Sequence, residues 1–361
     1  EKEPTTRSER TYWLDTRGKE AIGRALLDSP AASVMFLQCD VFSIVETTES
    51  LNWTSRAPCD AIVLAGVLRS NSTLKTLNIA NGDIGDYERD EIGRALLSNR
   101  SGRVGYCDAY GLKETMAATH TVDLKDKDQI RSRRSFTLFA GLLRANSTLT
   151  TITLSSVMPE HIDVLAEALA TNTTMQHLRL EQPSKTNDTS IATLPVQELN
   201  GMLKAVHIDL SKAGEPLPGG DGYQPVHRHA CGVIGAILGA NTSVKRLKLN
   251  PGGASEGGAI LEHIHRARKS SLVTLDVTSI GLGDRGGVKF FETLLAGKCN
   301  FLRSLHLGDN KLTDQAVGPL IVEVLRSDSC NIATLDLNNN QIGAPVITQA
   351  IKYNRSLTNL D

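Results

Sequence analysis

Two His-x-His pairs, His227/His229 and His263/His265, carry the side chain that most often ligates transition metals. Alternate residues meet on one face only in a strand. Both pairs lie in or beside stretches of helical pattern, with no carboxylate or thiol cluster at ligand spacing, so solvated or packed histidines are expected and no metal site. The 6 cysteines, Cys39, Cys59, Cys107, Cys231, Cys299 and Cys330, form no CxxC pair; this fits reduced thiols in a cytoplasmic compartment and leaves an organellar or ciliary assembly open. Cys299 and Cys330 hold equivalent places ahead of successive repeats and are expected as neighbours. GGASEGG, from Gly252 to Gly258, matches a phosphate loop in glycine content alone, and Ser255 suits a helix cap there. With no P-loop, no Gly-x-Ser-x-Gly, no Ser/His/Asp or Cys/His set and no zinc-hydrolase motif, the sequence names no catalytic residue and no cofactor.

Asn-x-Ser/Thr triplets begin at Asn52, Asn71, Asn99, Asn146, Asn172, Asn187, Asn241 and Asn354. Such a density is typical of glycosylated ectodomains. However, Asn71, Asn146, Asn172, Asn241 and Asn354 share one position, after a helical stretch and before an apolar strand pattern. Asn tolerates the left-handed conformation that ends helices, so a structural role is expected.

The elements that position these residues are read from Leu302-x-x-Leu305-x-Leu307-x-x-Asn310-x-Leu312, which returns as Ile332-x-x-Leu335-x-Leu337-x-x-Asn340-x-Ile342. This is the leucine-rich repeat pattern: a short strand ends in an Asn-bearing turn, and an apolar residue then re-enters the core. Between the two copies, Ala316, Val317, Leu320, Ile321, Val324 and Leu325 fall at helical spacing. Thr313 and Asp314 can cap that helix, and Pro319 puts the start of its regular part nearby. One such unit cannot bury its apolar faces alone and must stack on copies of itself. Strand patterns start at Thr48, Leu74, Thr119, Leu149, Met175, Leu203, Val244, Leu272, Leu302, Ile332 and Leu357, which predicts one parallel sheet of about ten or more strands.

A larger duplication overlies this repeat. EAIGRALLDS (Glu20 to Ser29) recurs as DEIGRALLSN (Asp90 to Asn99), LAGVLRSNSTL (Leu64 to Leu74) as FAGLLRANSTL (Phe139 to Leu149), and QCDVFSI (Gln38 to Ile44) as YCDAYGL (Tyr106 to Leu112). LPVQELNG (Leu194 to Gly201) and IGAILGANTSV (Ile234 to Val244) make a weaker third copy. In each copy a second strand pattern follows the first too closely for a helix: Leu51 to Trp53, Val122 to Leu124, Val206 to Ile208. A tight turn is expected in its place.

The 361 residues are 40% hydrophobic and 22% charged with a net charge of -1, which predicts no general attraction to nucleic acid or to anionic membranes. No apolar run reaches the roughly 18 residues of a membrane span. The opening EKEPTTRSER is not a secretory signal. Residues 1–17 read as an N-terminal arm whose Tyr12, Trp13 and Leu14 dock on the first repeat. Residues 18–361 read as one solenoid domain with an inserted loop at 211–225. Leu357 to Asp361 begins a strand without a helix to cover it, so the C-terminal end is expected to be uncapped and to touch another subunit.

The unit of about 28–30 residues seen in LHLGDNKLTDQAVGPLIVEVL resembles the ribonuclease-inhibitor-like subfamily of leucine-rich repeats. That subfamily includes the inhibitor, the repeat regions of NOD-like receptors and the Ran GTPase-activating proteins. The likeness is most specific over 272–361, fair over 60–180 and degenerate over 186–230, and the Cys-Asp-x-Phe/Tyr module also resembles tandem repeat proteins of protists and algae. The resemblance implies an α/β fold: a curved horseshoe solenoid with parallel strands on the concave face and helices on the convex face. It implies no single activity.

Alternation points the residues between the strand leucines out of the core: Asn78, Asp123, Thr153, Arg179, His207, Lys248, Asp276, His306 and Asp336, with Lys245 and Arg246 flanking Lys248. Arg179, His207, Lys245, Arg246 and Lys248 are expected to form a basic centre that binds an acidic protein surface, giving way to Asp276, His306 and Asp336. The loop at 211–225 offers Leu217 and Tyr223 as a second contact element. The expected function is non-enzymatic protein binding or scaffolding as a subunit of a larger assembly. A Ran-type GTPase-activating protein is the alternative, although its N-terminal signature and acidic tail have no counterpart here; the sensor repeat region of a larger receptor is another.

Overall fold

The structure, a computed structural model, describes residues 15–29, 34, 37–38, 42–55, 57–79, 84–99, 119–123, 132–155, 157–183, 189–214, 226, 228–249, 271–296 and 301–361. The chain divides into two compact units, residues 1–114 with 137–145, and residues 115–136 with 146–361. The expected arm lies almost wholly outside the described residues, as do Tyr12, Trp13, Leu14, Cys39, Cys107, Cys299, His227, His263, His265 and the GGASEGG stretch.

In the first unit lie α1 (Thr16–Asp28), β1 (Leu37–Gln38), β2 (Ser43–Ile44), β3 (Ser50–Asn52), α2 (Pro58–Leu68), β4 (Thr76–Asn78), α3 (Asp86–Ser98) and most of α4 (Arg133–Ala145). A turn at 46–47 joins β2 to β3, as their close spacing requires. β3 and β4 pair in parallel, whereas β1 and β2 are antiparallel, a departure from the all-parallel expectation. The duplicated motifs acquire a physical meaning in the helices. A Cβ on Gly23 would stand 2.7 Å from backbone atoms of Ile62 and Val63, and one on Gly93 would stand 2.5 Å from those of Thr137 and Leu138. Two helices can approach this closely only where a side chain is missing from the contact. The arginine of each copy then serves the preceding helix: Arg69 donates to the carbonyls of Leu26, Leu27 and Ser29, and Arg144 to those of Leu96 and Asn99. These last-turn carbonyls have no intrahelical partner, and a cation suits the negative end of the helix dipole.

The second unit continues with β5 (Thr119–Asp123), β6 (Thr151–Ser155), α5 (Ile162–Thr171), β7 (His177–Pro183), β8 (Thr189–Pro195), α6 (Val196–Leu199), β9 (His207–Leu210), α7 (Arg228–Leu238) and β10 (Arg246–Leu249). It ends with β11 (Thr274–Asp276), α8 (Gly283–Leu295), β12 (Ser304–His306), α9 (Asp314–Arg326), β13 (Thr334–Asp336), α10 (Ala344–Tyr353) and β14 (Asn359–Leu360). β9 to β14 form a six-stranded, wholly parallel sheet in sequence order, with Ile208, Leu247, Leu275, Leu305, Leu335 and Leu360 in one register row. β5 to β8 form a separate four-stranded sheet, so among the described residues the strands are divided rather than continuous.

The break has a local cause. β8 runs antiparallel to β7, because residues 184–188 are too few for the crossover that a parallel return needs. The far edge of β8 is then occupied by the segment after β9: Thr193 N–H donates to Ala213 O at 2.8 Å, and Ala192 bridges Gly214. β9 therefore starts a new sheet. In a further correction, Pro319 lies inside α9 rather than near its start, since Thr313 accepts from Ala316 N–H and fixes the first turn well ahead of it.

Asparagines hold successive repeats together at both ends of the strands. At the turn after the strand, Asn310 is wholly buried; its amide donates to the carbonyls of Val277, Leu307 and Gly308, and its Oδ1 accepts from Ile280 and Leu282 N–H. Asn340 repeats this one step on, accepting from Asn310 and Leu312 N–H. Before the strands, the Asn-x-Ser/Thr residues do the same: Asn172 donates to Asn146 O, and Asn241 to the carbonyls of Glu198 and Leu199, while each Oδ1 caps the turn that follows. Asn71, Asn146, Asn172 and Asn241 are buried, so their role is structural. The reason differs from a left-handed cap. Asn99, Asn172 and Asn354 have extended backbones, with φ of -76°, -70° and -76°, and it is the side-chain amide that links the repeats.

Burial orders reactivity and local stability. Cys59 and Cys231 are buried and Cys330 is partly open; burial, then the neighbouring Asp60 carboxylate, push the Cys59 thiol above its ordinary range. Of these three, a maleimide followed by peptide mapping should label Cys330 first, and Cys59 and Cys231 only on unfolding. α10 buries Ala350 alone, whereas α9 buries Val317, Ile321, Val322, Val324 and Leu325. Amide hydrogens of α10 should therefore exchange well before those of α9, and equal protection would contradict this ordering. Among the described residues no helix is long and apolar enough to cross a membrane.

Candidate functional site

Because strand side chains alternate, the six-stranded sheet presents two outward rows beside its buried leucine row. The first is His207, Arg246, Thr274, Ser304, Thr334 and Asn359; the second is Asp209, Lys248, Asp276, His306 and Asp336. All are at least partly exposed. Neighbouring strands stand about 4.8 Å apart, so each row is a line of side chains rather than a convergence on one point.

In the second row unlike groups meet. Lys248 Nζ lies 3.9 Å from Asp276 Oδ2, and His306 Nδ1 lies 3.6 Å from Asp336 Oδ2 while its Nε2 is 3.0 Å from Ser304 Oγ. The aspartates are also set by turn chemistry: Asp209, Asp276 and Asp336 each accept from the N–H two residues on, at Ser211, Thr278 and Asn338. Burial pushes the Asp209 carboxyl up, but hydrogen bonds from Ser211, then Lys248 and His207, outweigh it and hold the group below its usual range. Lys245, just ahead of β10, and Arg246 are exposed and without an ion-pair partner among the described residues.

The structure thus gathers His207, Lys245, Arg246, Lys248, Asp276, His306 and Asp336 on one sheet or at its margin. Arg179 is elsewhere, on β7 of the four-stranded sheet, opposite Thr153 and Thr193. There Thr153 and Ser155, on the same side of β6, are buried, so that face is not open in the same way. Leu217 and Tyr223 lie outside the described residues. The alternation that groups His207 with Lys248 is corrected at β9: His207 stands in register with Arg246, and Asp209 stands with Lys248. The strand pattern starts at Ala205 rather than Leu203, since two extra residues follow Asn200. That spacing against Asn172 and Asn241 was the available signal.

Among the described residues no three His, Cys, Asp or Glu side chains gather as metal ligands. A cavity of about 150 Å³ between the C-terminal ends of α9 and α10 is well below the roughly 300–1,000 Å³ of typical small-molecule sites.

A family model described as leucine-rich repeat matches residues 70–86 and 298–320. The chain carries leucine-rich repeats at these two places. The first match spans the Asn71 turn and β4; the second spans β12, the Asn310 turn and the first half of α9, where strand, asparagine turn and helix follow one another as the repeat requires. Leucine-rich repeats generally mediate protein–protein interaction. Comparison with curated proteins gives no match.

Proposed function

We propose that this leucine-rich repeat chain is a non-enzymatic protein-binding scaffold, and that it docks its partner on the outward face of the six-stranded sheet. The observation that carries the reading is the two polar rows held in register, one across β9 to β14 and the other across β9 to β13. Rows fixed by backbone ladders lose little freedom on binding, which favours a broad interface over a pocket. In this proposal the repeats are of the ribonuclease-inhibitor-like kind, the chain is a subunit of a larger cytoplasmic assembly, and Lys245, Arg246 and Lys248 meet an acidic area of the partner while Asp276, His306 and Asp336 set its register.

Photo-cross-linking tests this. A benzophenone amino acid placed at Thr274 or Thr334 should cross-link the captured partner, and one placed at Glu323, exposed on α9, should not. Cross-linking from Glu323 with none from the sheet would move the interface to the helices and end the proposal.

A further inference from the structure

The turn between α6 and β9 breaks the repeat rule at one place, and it does so by exposing apolar side chains. In the flanking repeats the ladder asparagine stands a short turn before the strand: Asn172 precedes β7 at His177, and Asn241 precedes β10 at Arg246. Asn200 has the same role, donating to the carbonyls of Leu169 and Asn172 and accepting from Met202 N–H, yet β9 begins two residues late. Gly201 takes the left-handed conformation there, at φ 82°. The position filled by buried Met175 and Val244 in the neighbours falls here to the half-buried Ala205.

Met202, Leu203 and Val206 are left 49%, 50% and 57% exposed, and Val206 and Leu203 are the two most open large apolar side chains among the described residues. The excursion is held in place: Leu203 N–H donates to Gln197 O at 2.9 Å and Ala205 N–H to Leu203 O at 2.7 Å. Scattered exposed apolar residues need no explanation, but three within five positions, fixed by hydrogen bonds where the repeat would bury one, mark a contact surface.

The surroundings state what the contact must offer. Lys245 and Arg246 both donate backbone N–H to Val206 O, at 2.9 and 3.0 Å, and Lys204 lies inside the apolar group. All three cations are exposed and lack an ion-pair partner among the described residues. We infer that Met202, Leu203 and Val206, framed by Lys204, Lys245 and Arg246, are the anchor site for an acidic amphipathic segment of a protein partner. Its apolar side chains cover the trio and its carboxylates meet the cations. The inference rests on the protein-binding reading and extends the face beyond the two sheet rows.

The test is selection from a random 16-residue peptide library displayed on phage, with the full chain as bait. Enriched peptides should carry net negative charge and paired large apolar residues. Their affinity should fall at least tenfold for Met202→Gln/Leu203→Gln/Val206→Thr, and also for Lys204→Glu/Lys245→Glu/Arg246→Glu. If the apolar variant does not fold, the single Leu203→Gln change is read instead. Absence of enrichment, or peptides that bind the apolar variant as well as the parent, overturns the anchor site. Loss in the charge variant alone also overturns it while leaving the sheet-face reading standing.

Discussion

Asn310→Ala is expected to destabilise the chain by about 3–5 kcal/mol, enough to threaten folding of the second unit. The side chain is wholly buried and engages three carbonyls and two N–H groups drawn from two successive repeats. Alanine supplies none of these bonds. A buried backbone group left without a partner costs about 1–3 kcal/mol, and some of the five keep no alternative. Exposed Asn359, on the edge strand β14, is the control: its replacement by Ala should stay within about 0.5 kcal/mol. Urea unfolding of both variants measures the difference. A loss below about 1 kcal/mol for Asn310→Ala would mean that the turns hold without their ladder.

Joint replacement of Lys245, Arg246 and Lys248 by Glu should abolish partner capture at physiological salt and leave stability nearly unchanged. Lys245 and Arg246 are exposed and without an ion-pair partner among the described residues, so their reversal breaks no described ion pair. Lys248 loses a 3.9 Å contact with Asp276 and its attraction to Asp209, surface interactions each worth about 0–1 kcal/mol. The effect on binding is larger because the three charges stand together and their fields add at a docking face. Since the Debye length is about 8 Å at 0.15 M and about 3 Å at 1 M, capture by the parent chain should also weaken as salt rises. Undiminished capture by the triple variant at low salt would show that these cations are only solvated.

Leu305 and Leu335 announce the sheet because a parallel ladder aligns equivalent positions, and they do pair across β12 and β13. Asn310 announces its turn for the same reason. The antiparallel course of β8 stayed hidden, because alternation of buried and open residues reads alike in either strand direction. His207 reads from the sequence as a neighbour of Lys248 because Val206 looks like a core leucine equivalent, and only the two-residue delay after Asn200 shows that Val206 is extruded. The shared position of the asparagines marks them as structural, but bonds that run to the neighbouring repeat cannot be read from one repeat's own pattern.

The most direct test of the sheet-face account is carboxyl footprinting of the captured complex against the free chain, using carbodiimide-driven amide formation read by mass spectrometry. Asp209, Asp276 and Asp336 lie on the proposed face, while Glu167 on α5 and Glu323 on α9 are exposed on helices. Binding to the face predicts that the three aspartates lose most of their labelling and that Glu167 and Glu323 keep theirs. Protection of the two glutamates with the aspartates unchanged would contradict the account.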